Sequence, residues 1–212
     1  MTAIYLVRAG RTRLSEEGRL QGRRDAPLTD VGMNDALRAG RRLADADVAA
    51  VFASPLRRAR QTADVICRVL GTSCQTLVEL IDVDVGRWAG MTTAQIIDRE
   101  PLAFDRYFRM PLAATYPSGE QIIDVERRVL EALESIAGVC PGRAAAAITH
   151  EMPIRSVLLR LRRLDGTAFW DPHVPPGSVT ELRATEDGFE LPTVLEDLLR
   201  AADGKRNERE RR

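Results

Sequence analysis

Three short apolar runs punctuate the chain: Ile4 to Val7, Val48 to Ala53 and Ala144 to Thr149, the last followed at once by His150. Continuous apolar runs of this length, unlike alternating ones, suit strands buried on both faces. Between them the period turns helical. Val31, Ala36, Leu37 and Leu43 recur after Thr29, whose hydroxyl can cap a helix running to about Ala44. Ser54-Pro55 reads as a second hydroxyl cap with proline at the first helical position, opening a helix to Leu70 that Gly71 ends. From Glu120 to about Ala137, Ile122, Val125, Val129, Leu133 and Ile136 share one face. Pro153 falls in the first turn of a helix that starts after His150, where a missing N–H does little harm. Val179 to Ala184 and Phe189 to Val194 flank Glu186-Asp187-Gly188, a hairpin turn. Residues 204–212 are all polar and are expected to be disordered.

This alternation predicts an α/β protein: a three-layer α/β/α sandwich with a mostly parallel central sheet, one domain over residues 1–203, without internal repeat or linker. In such a fold ligands sit at the carboxyl ends of the strands, which directs attention to Arg8 onward, Ser54 onward and His150. Composition narrows the partners. Lys plus Arg and Asp plus Glu each total 31 in 212 residues, so the net charge is zero and a sequence-independent nucleic-acid binder is excluded. Lys205 is the only lysine, and the arginine excess reads mostly as codon bias. No apolar run approaches the roughly 20 residues that span a bilayer, so no membrane partner is expected. Met1 leads straight into the first apolar run without a basic leader. The three cysteines, Cys67, Cys74 and Cys140, lack CxxC spacing and fit reduced thiols, which together predict a cytoplasmic protein without a metal site.

Chemistry gathers at the three strand ends. Arg8-Ala9-Gly10 follows the first run, Ser54-Pro55-Leu56-Arg57-Arg58-Ala59 the second, and Thr149-His150-Glu151 the third. Arg57 and Arg60 read as a wet helix face. A terminal arginine or histidine taken singly is more often structural; three together make a pocket of guanidinium forks and a helix N-terminus, which suits a phosphoryl group.

In this order and spacing the chain resembles the histidine phosphatase superfamily, which includes the cofactor-dependent phosphoglycerate mutases and many small phosphomonoesterases. The resemblance runs over about residues 3–184. It is carried by Arg8-Ala9-Gly10, the loop Glu17 to Gly22, Pro27-Leu28-Thr29, Ser54 to Ala59, Gly86-Arg87-Trp88-Ala89-Gly90, Pro117-Ser118-Gly119-Glu120 and His150. It implies a phosphoglycerate mutase-like fold and hydrolysis of a small phosphorylated substrate through a phosphohistidine, with no cofactor or metal and a possible homodimer. By position, Arg8, Arg58 and His150 would bind the phosphoryl oxygens. Asp82 stands where the family usually has a glutamate and would act as general acid, with Glu79 and Asp84 as nearby rivals. Ser15, Gln21, Gly22 and Glu151 complete the implied phosphate-binding set. Ser15 and Gly177 each replace a frequent asparagine.

One departure changes the expected chemistry. Ala9 stands where the nucleophilic histidine belongs, and a methyl group cannot attack phosphorus, so the chain as given is expected to be inactive. Two origins compete: replacement of a parental histidine to trap a bound complex, or a natural pseudophosphatase that binds a phospholigand. Retention of Arg8, Gly10, Arg58, His150 and an acid favours the first. The Gly86-x-Trp88-x-Gly90 stretch and the compact chain resemble the phosphatase branch, with a mutase-like phosphotransferase as the alternative. Residues 91–118 are expected to cap the pocket. Their Phe104, Tyr107, Phe108 and Tyr116 are read either as substrate-facing or, given the helical spacing, as core, and Trp88 as packing.

Overall fold

The computed structural model describes residues 1–192, so the predicted polar tail and the end of the last predicted strand lie outside the described residues. The predicted runs appear as β1 (Thr2–Arg8), β2 (Val48–Ala53) and β4 (Ala144–Thr149), joined by β3 (Cys74–Thr76), β5 (Val179–Thr185) and β6 (Gly188–Glu190). The sheet order is β3-β2-β4-β1-β5-β6. The first four of these run parallel, while β5 is antiparallel to β1 and β6 to β5. The sheet is therefore mixed, parallel from the β3 edge through β1 and antiparallel at the β5-β6 edge.

The helices are α1 (Arg13–Glu16), α2 (Asp30–Leu43), α3 (Arg57–Leu70), α4 (Thr93–Arg99), α5 (Pro101–Arg109), α6 (Ile122–Val139) and α7 (Glu151–Leu161). The continuous apolar strands serve both faces, as their pattern demands. Val7, Val51, Ala53, Ala146 and Ile148 pack with Ala39 and Leu43 of α2 and Ala63 and Ile66 of α3. Ile4, Leu6, Phe52, Ala145 and Ala147 face the other way, onto α6 and α7. Every residue of β4 is buried. Each fully buried Leu or Ile contributes about 1.5–3 kcal/mol over an exposed one, so these two layers hold the strand ends in place.

Local signals largely set the boundaries. Thr29 caps α2 by accepting the Gly32 N–H, and Gly71 ends α3 with a left-handed φ of 67°. The Ser54-Pro55 start signal is a correction. The helix begins at Arg57 and its cap is Leu56 without a side-chain bond, while the Ser54 hydroxyl accepts the Leu56 N–H at 3.3 Å and meets His150. The α6 helix likewise starts and ends two residues later than its apolar stripe suggests.

Two glycines fix the loops around the strand ends by close approach. A Cβ on Gly10 would stand 2.3 Å from the Gly32 carbonyl oxygen, so the turn after β1 lies directly on the first turn of α2. Gly86, at φ 52°, is pressed against the Pro117 carbonyl at an equally impossible 2.0 Å for a Cβ. That contact joins the segment after β3 to the loop before α6.

Candidate active site

Parallel pairing places the first two strand ends side by side. Arg8 of β1 is opposite Thr149 of β4, and the Ala9 N–H donates to the Thr149 carbonyl at 2.9 Å. Ser54, after β2, donates its N–H to Ile148 at 2.9 Å. Ala9, Ser54 and His150 thus leave the sheet together. His150 occupies the cap position of α7, and its Nε2 lies 2.7 Å from the Ser54 hydroxyl.

Arg58, in the first turn of α3, reaches back under this edge and is only 2% exposed. Its Nε donates to His150 Nδ1 at 3.1 Å, one Nη to the Arg24 carbonyl at 2.9 Å, and the other to the Gly22 carbonyl at 2.8 Å and to Asp82 Oδ2 at 2.9 Å. Because guanidinium can only donate, Nδ1 of His150 carries the lone pair and Nε2 the proton, which it gives to Ser54. Arg8 is held on the other flank by the Val174 carbonyl and by Glu151, 2.7 Å from a guanidinium nitrogen. Thr62 of α3 accepts the Gly10 N–H at 3.1 Å and donates to the Arg58 carbonyl at 2.7 Å, tying the β1 turn to the arginine helix.

Asp82 arrives from the irregular segment after the 3-10 turn Val78–Leu80. Its Oδ1 accepts the Val83 N–H at 2.9 Å. The backbone beneath it is clamped by one side chain: Arg128 of α6 donates to the carbonyls of Glu79 (2.6 Å), Ile81 (2.6 Å) and Asp82 (3.2 Å). Arg128 is itself paired with Glu120 at 2.9 Å, and Glu120 also accepts from Arg23 and the Asp84 N–H. The Pro117–Glu120 stretch therefore supports the Asp82 segment. Glu79 and Asp84 do not line the pocket; Asp84 instead accepts the Gly86 N–H at 2.9 Å.

Together these groups line one cavity of about 410 Å³, which brings together Arg8, Ala9, Ser15, Gln21, Gly22, Arg58, Asp82, His150 and Glu151. Ser15 is otherwise engaged. Its hydroxyl accepts the Thr12 N–H and donates to the Thr12 carbonyl in a capping box, so it has no spare proton in this arrangement. The Gln21 side-chain oxygen accepts from Thr12 at 2.6 Å. Arg57 and Arg60 lie on the exposed face of α3. Gly177 has a φ of 74°, and a Cβ there would meet the Asp35 carbonyl oxygen at 2.7 Å.

Burial sets the protonation states. It pushes the Asp82 carboxyl up from its ordinary range, against the opposing pull of Arg58. Burial also drives His150 well below its ordinary value, and the neighbouring Arg58 and Arg8 add to the effect. The site thus favours a neutral imidazole and a carboxyl whose pKa is raised by burial, beside two guanidinium groups that burial makes somewhat less basic. Such an arrangement can bind an oxyanion and hand it a proton.

Opposite the arginines the wall is aromatic. Phe104, Tyr107 and Phe108 of α5, with Tyr116 and Trp170, line the cavity. Tyr107 and Tyr116 are also buried and hydrogen-bond to each other at 3.0 Å, so the two readings of these rings are both true of them. Trp88 is 1% exposed and does not line the cavity; it packs edge-on against Tyr107 and Tyr116. Sequence reasoning did not single out Ser54 as a partner of His150, nor Thr62, Arg128, Arg155 or Trp170. Arg155 had a visible signal, its i,i+4 spacing from Glu151, which it meets at 3.0 Å.

A mixed-sheet α/β/α protein whose strand ends open on a pocket of two arginines, a histidine and a buried aspartate is the class that fold and geometry define. The chain belongs to the histidine phosphatase superfamily (branch 1), whose family model matches residues 4–197. Bifunctional protein Rv2228c of Mycobacterium tuberculosis is 35% identical over 161 residues, 76% of this chain and 44% of that protein, so the chain spans less than half of that relative's length. A metal-independent phosphoserine phosphatase of Arabidopsis thaliana is 31% identical, covering 76% of this chain and 69% of that one. Among solved structures, Bacillus stearothermophilus YhfR superposes with a TM-score of 0.84 at 30% identity over 90% of this chain and 95% of its own. Phosphatases are thus among its relatives. No helix among the described residues is long and apolar enough to cross a membrane.

Proposed function

We propose that this chain is a phosphomonoesterase scaffold of the histidine phosphatase type that binds a small phosphorylated metabolite and, with alanine at position 9, does not turn it over. The observation that carries the reading is the position of Ala9, which lines the same cavity as Arg8, Arg58, Asp82 and His150 and is backed by the Thr149 carbonyl. With an imidazole at that position, its nitrogen would attack phosphorus in line while the phosphorus–oxygen bond to the leaving group breaks. The Asp82 proton would pass to the departing alkoxide, and the arginines would hold the equatorial oxygens, joined by His150 where its Nε2–H exchanges Ser54 for a phosphoryl oxygen. Water would then attack the phosphohistidine, Asp82 taking up a proton as phosphate is released. Each of these roles finds its residue type in the cavity except the nucleophile.

The test is Ala9→His, assayed for phosphate release from sugar, nucleotide, amino-acid and aryl monoesters. Turnover in that variant alone is expected. A variant that still binds inorganic phosphate but releases nothing above background supports the second reading, a natural pseudophosphatase.

A further inference from the structure

The organic end of the cavity is built differently from its phosphate end. Beyond Arg8 and Arg58, the only cation lining it among the described residues is Arg19. That guanidinium is already held by Glu17 at 2.7 Å, the Gly90 carbonyl at 3.0 Å and Gln95 at 3.3 Å. Glu151, the only lining carboxylate besides Asp82 among the described residues, is shared between Arg8 and Arg155 at 2.7 and 3.0 Å. Apart from Arg8, Arg58 and Asp82, the described lining therefore offers one guanidinium and one carboxylate, each already ion-paired, against five aromatic side chains. Ser15 and Gln21, the polar groups nearest in sequence to the phosphate end, are engaged with Thr12.

What the cavity offers instead is ring surface. Phe104 and Phe108 stack at 6.2 Å and 17°, and Phe108 and Trp170 at 5.9 Å and 12°. The Trp170 indole N–H is fixed on the Phe108 carbonyl at 2.9 Å, and Arg155 lies 5.9 Å from its ring. Phe108 lines the cavity and is 56% exposed, so part of its ring is open to a guest. The near-parallel rings turn their faces to one another. An aromatic cage for a quaternary ammonium needs faces that converge on one point, so the stack favours an uncharged apolar guest.

We infer that the Phe104–Phe108–Trp170 stack selects phosphomonoesters whose organic group is aromatic or otherwise apolar, and disfavours phosphorylated amino acids and acidic metabolites such as phosphoserine. The inference rests on the cavity being the phosphate site proposed above. It sets this chain apart from the substrate in the name of its Arabidopsis relative.

Calorimetry on the unsubstituted chain tests it, with phenyl phosphate, 1-naphthyl phosphate, phosphoserine, 3-phosphoglycerate, phosphocholine and inorganic phosphate as probes. The expected result is 1-naphthyl phosphate binding at least ~10-fold tighter than inorganic phosphate or phosphoserine, the advantage given by burying about 60 Å² of ring. Phe108→Ala, at an exposed position, should remove roughly 5-fold of the aryl affinity and leave inorganic phosphate within about 2-fold. Phosphoserine, 3-phosphoglycerate or phosphocholine binding as tightly as the aryl esters overturns the inference, as does a Phe108→Ala variant that weakens all probes alike. Inorganic phosphate keeps the two proposals distinct. If it binds and Arg58→Ala abolishes that binding, the phosphate site stands whatever the aryl esters do; if no probe binds, both fail.

Discussion

The two ends of the cavity are held by opposite means. At the phosphate end every charge is already hydrogen-bonded to protein: Arg58 to His150, Asp82 and two carbonyls, Arg8 to Glu151 and Val174. At the other end the contacts are ring on ring, with Phe108 56% exposed. Hydrogen-bonded charge fixes geometry to tenths of an ångström and is costly to leave unpaired. Stacked rings tolerate small displacements at little cost. The first end is suited to an invariant phosphoryl group and the second to a variable remainder.

The largest effect that would sharpen this contrast is gain of turnover. Ala9→His should raise phosphate release at least ~10³-fold over the unsubstituted chain, within the range by which positioned nucleophiles and charges accelerate hydrolysis. Next comes Arg58→Ala, which removes four donors and leaves Asp82 buried without its partner. A loss of about 30-fold or more in phosphate affinity is expected by calorimetry. Arg58→Lys should recover only part of it, because one ammonium cannot replace the fork. Equal affinity in all three chains would break the account of this end.

A smaller effect should separate positioning from chemistry. Arg128 does not itself line the cavity, yet it holds the backbone that presents Asp82. Placed in the Ala9→His chain, Arg128→Met should slow alkyl phosphates by about 10-fold or more and 4-nitrophenyl phosphate by less than ~3-fold, since a good leaving group needs no proton. The pH profile adds a check. Burial raises the Asp82 carboxyl, so its proton persists above the ordinary carboxylate range and is lost as pH climbs through the raised value. Alkyl-ester turnover should fall on that alkaline side, and 4-nitrophenyl turnover should not. Equal slowing of both substrates would show that Arg128 serves only the fold.

Stability should carry the smallest signal. His150 is held neutral in the folded chain, with its pKa well below the ordinary 6.5. The unfolded chain takes up that proton first as pH falls, so stability is full above about 6.5 and declines below it, by up to about 1.4 kcal/mol per pH unit for one proton. Urea unfolding at neutral and mildly acid pH should show this decline in the present chain and a shallower one in His150→Gln.

How much of this was legible from residues alone follows the same division. The central strands are near-continuous apolar runs, a pattern only a doubly covered strand permits, and β2 and β4 fall where the runs fall. The residues that meet in the cavity follow from that placement, because parallel strands bring their carboxyl ends to one edge. Three features resisted. The edge strand β3 has three residues and two of them are exposed, so it carries no periodicity. Ser54 looked like a helix cap because a hydroxyl before proline is the usual signal; its oxygen takes only the Leu56 N–H ahead of the helix and is shared with His150. Arg128 sits among helix positions where arginine is most often solvated, and only the fold reveals the carbonyls it gathers. The aromatic stack was half legible: helical spacing favoured core rings in α5, which holds for Tyr107 but not for the exposed Phe108, and gave no sign that Trp170, far along the chain, would complete them.

The central claim is that position 9 faces a complete phosphate site and lacks only its nucleophile. Rapid quenching of the Ala9→His chain with labelled aryl phosphate tests this most directly. The account predicts an acid-labile, base-stable phosphoryl group on position 9, approaching one per chain and disappearing as phosphate is released. Turnover without that adduct, or phosphate binding with neither adduct nor turnover, would contradict it.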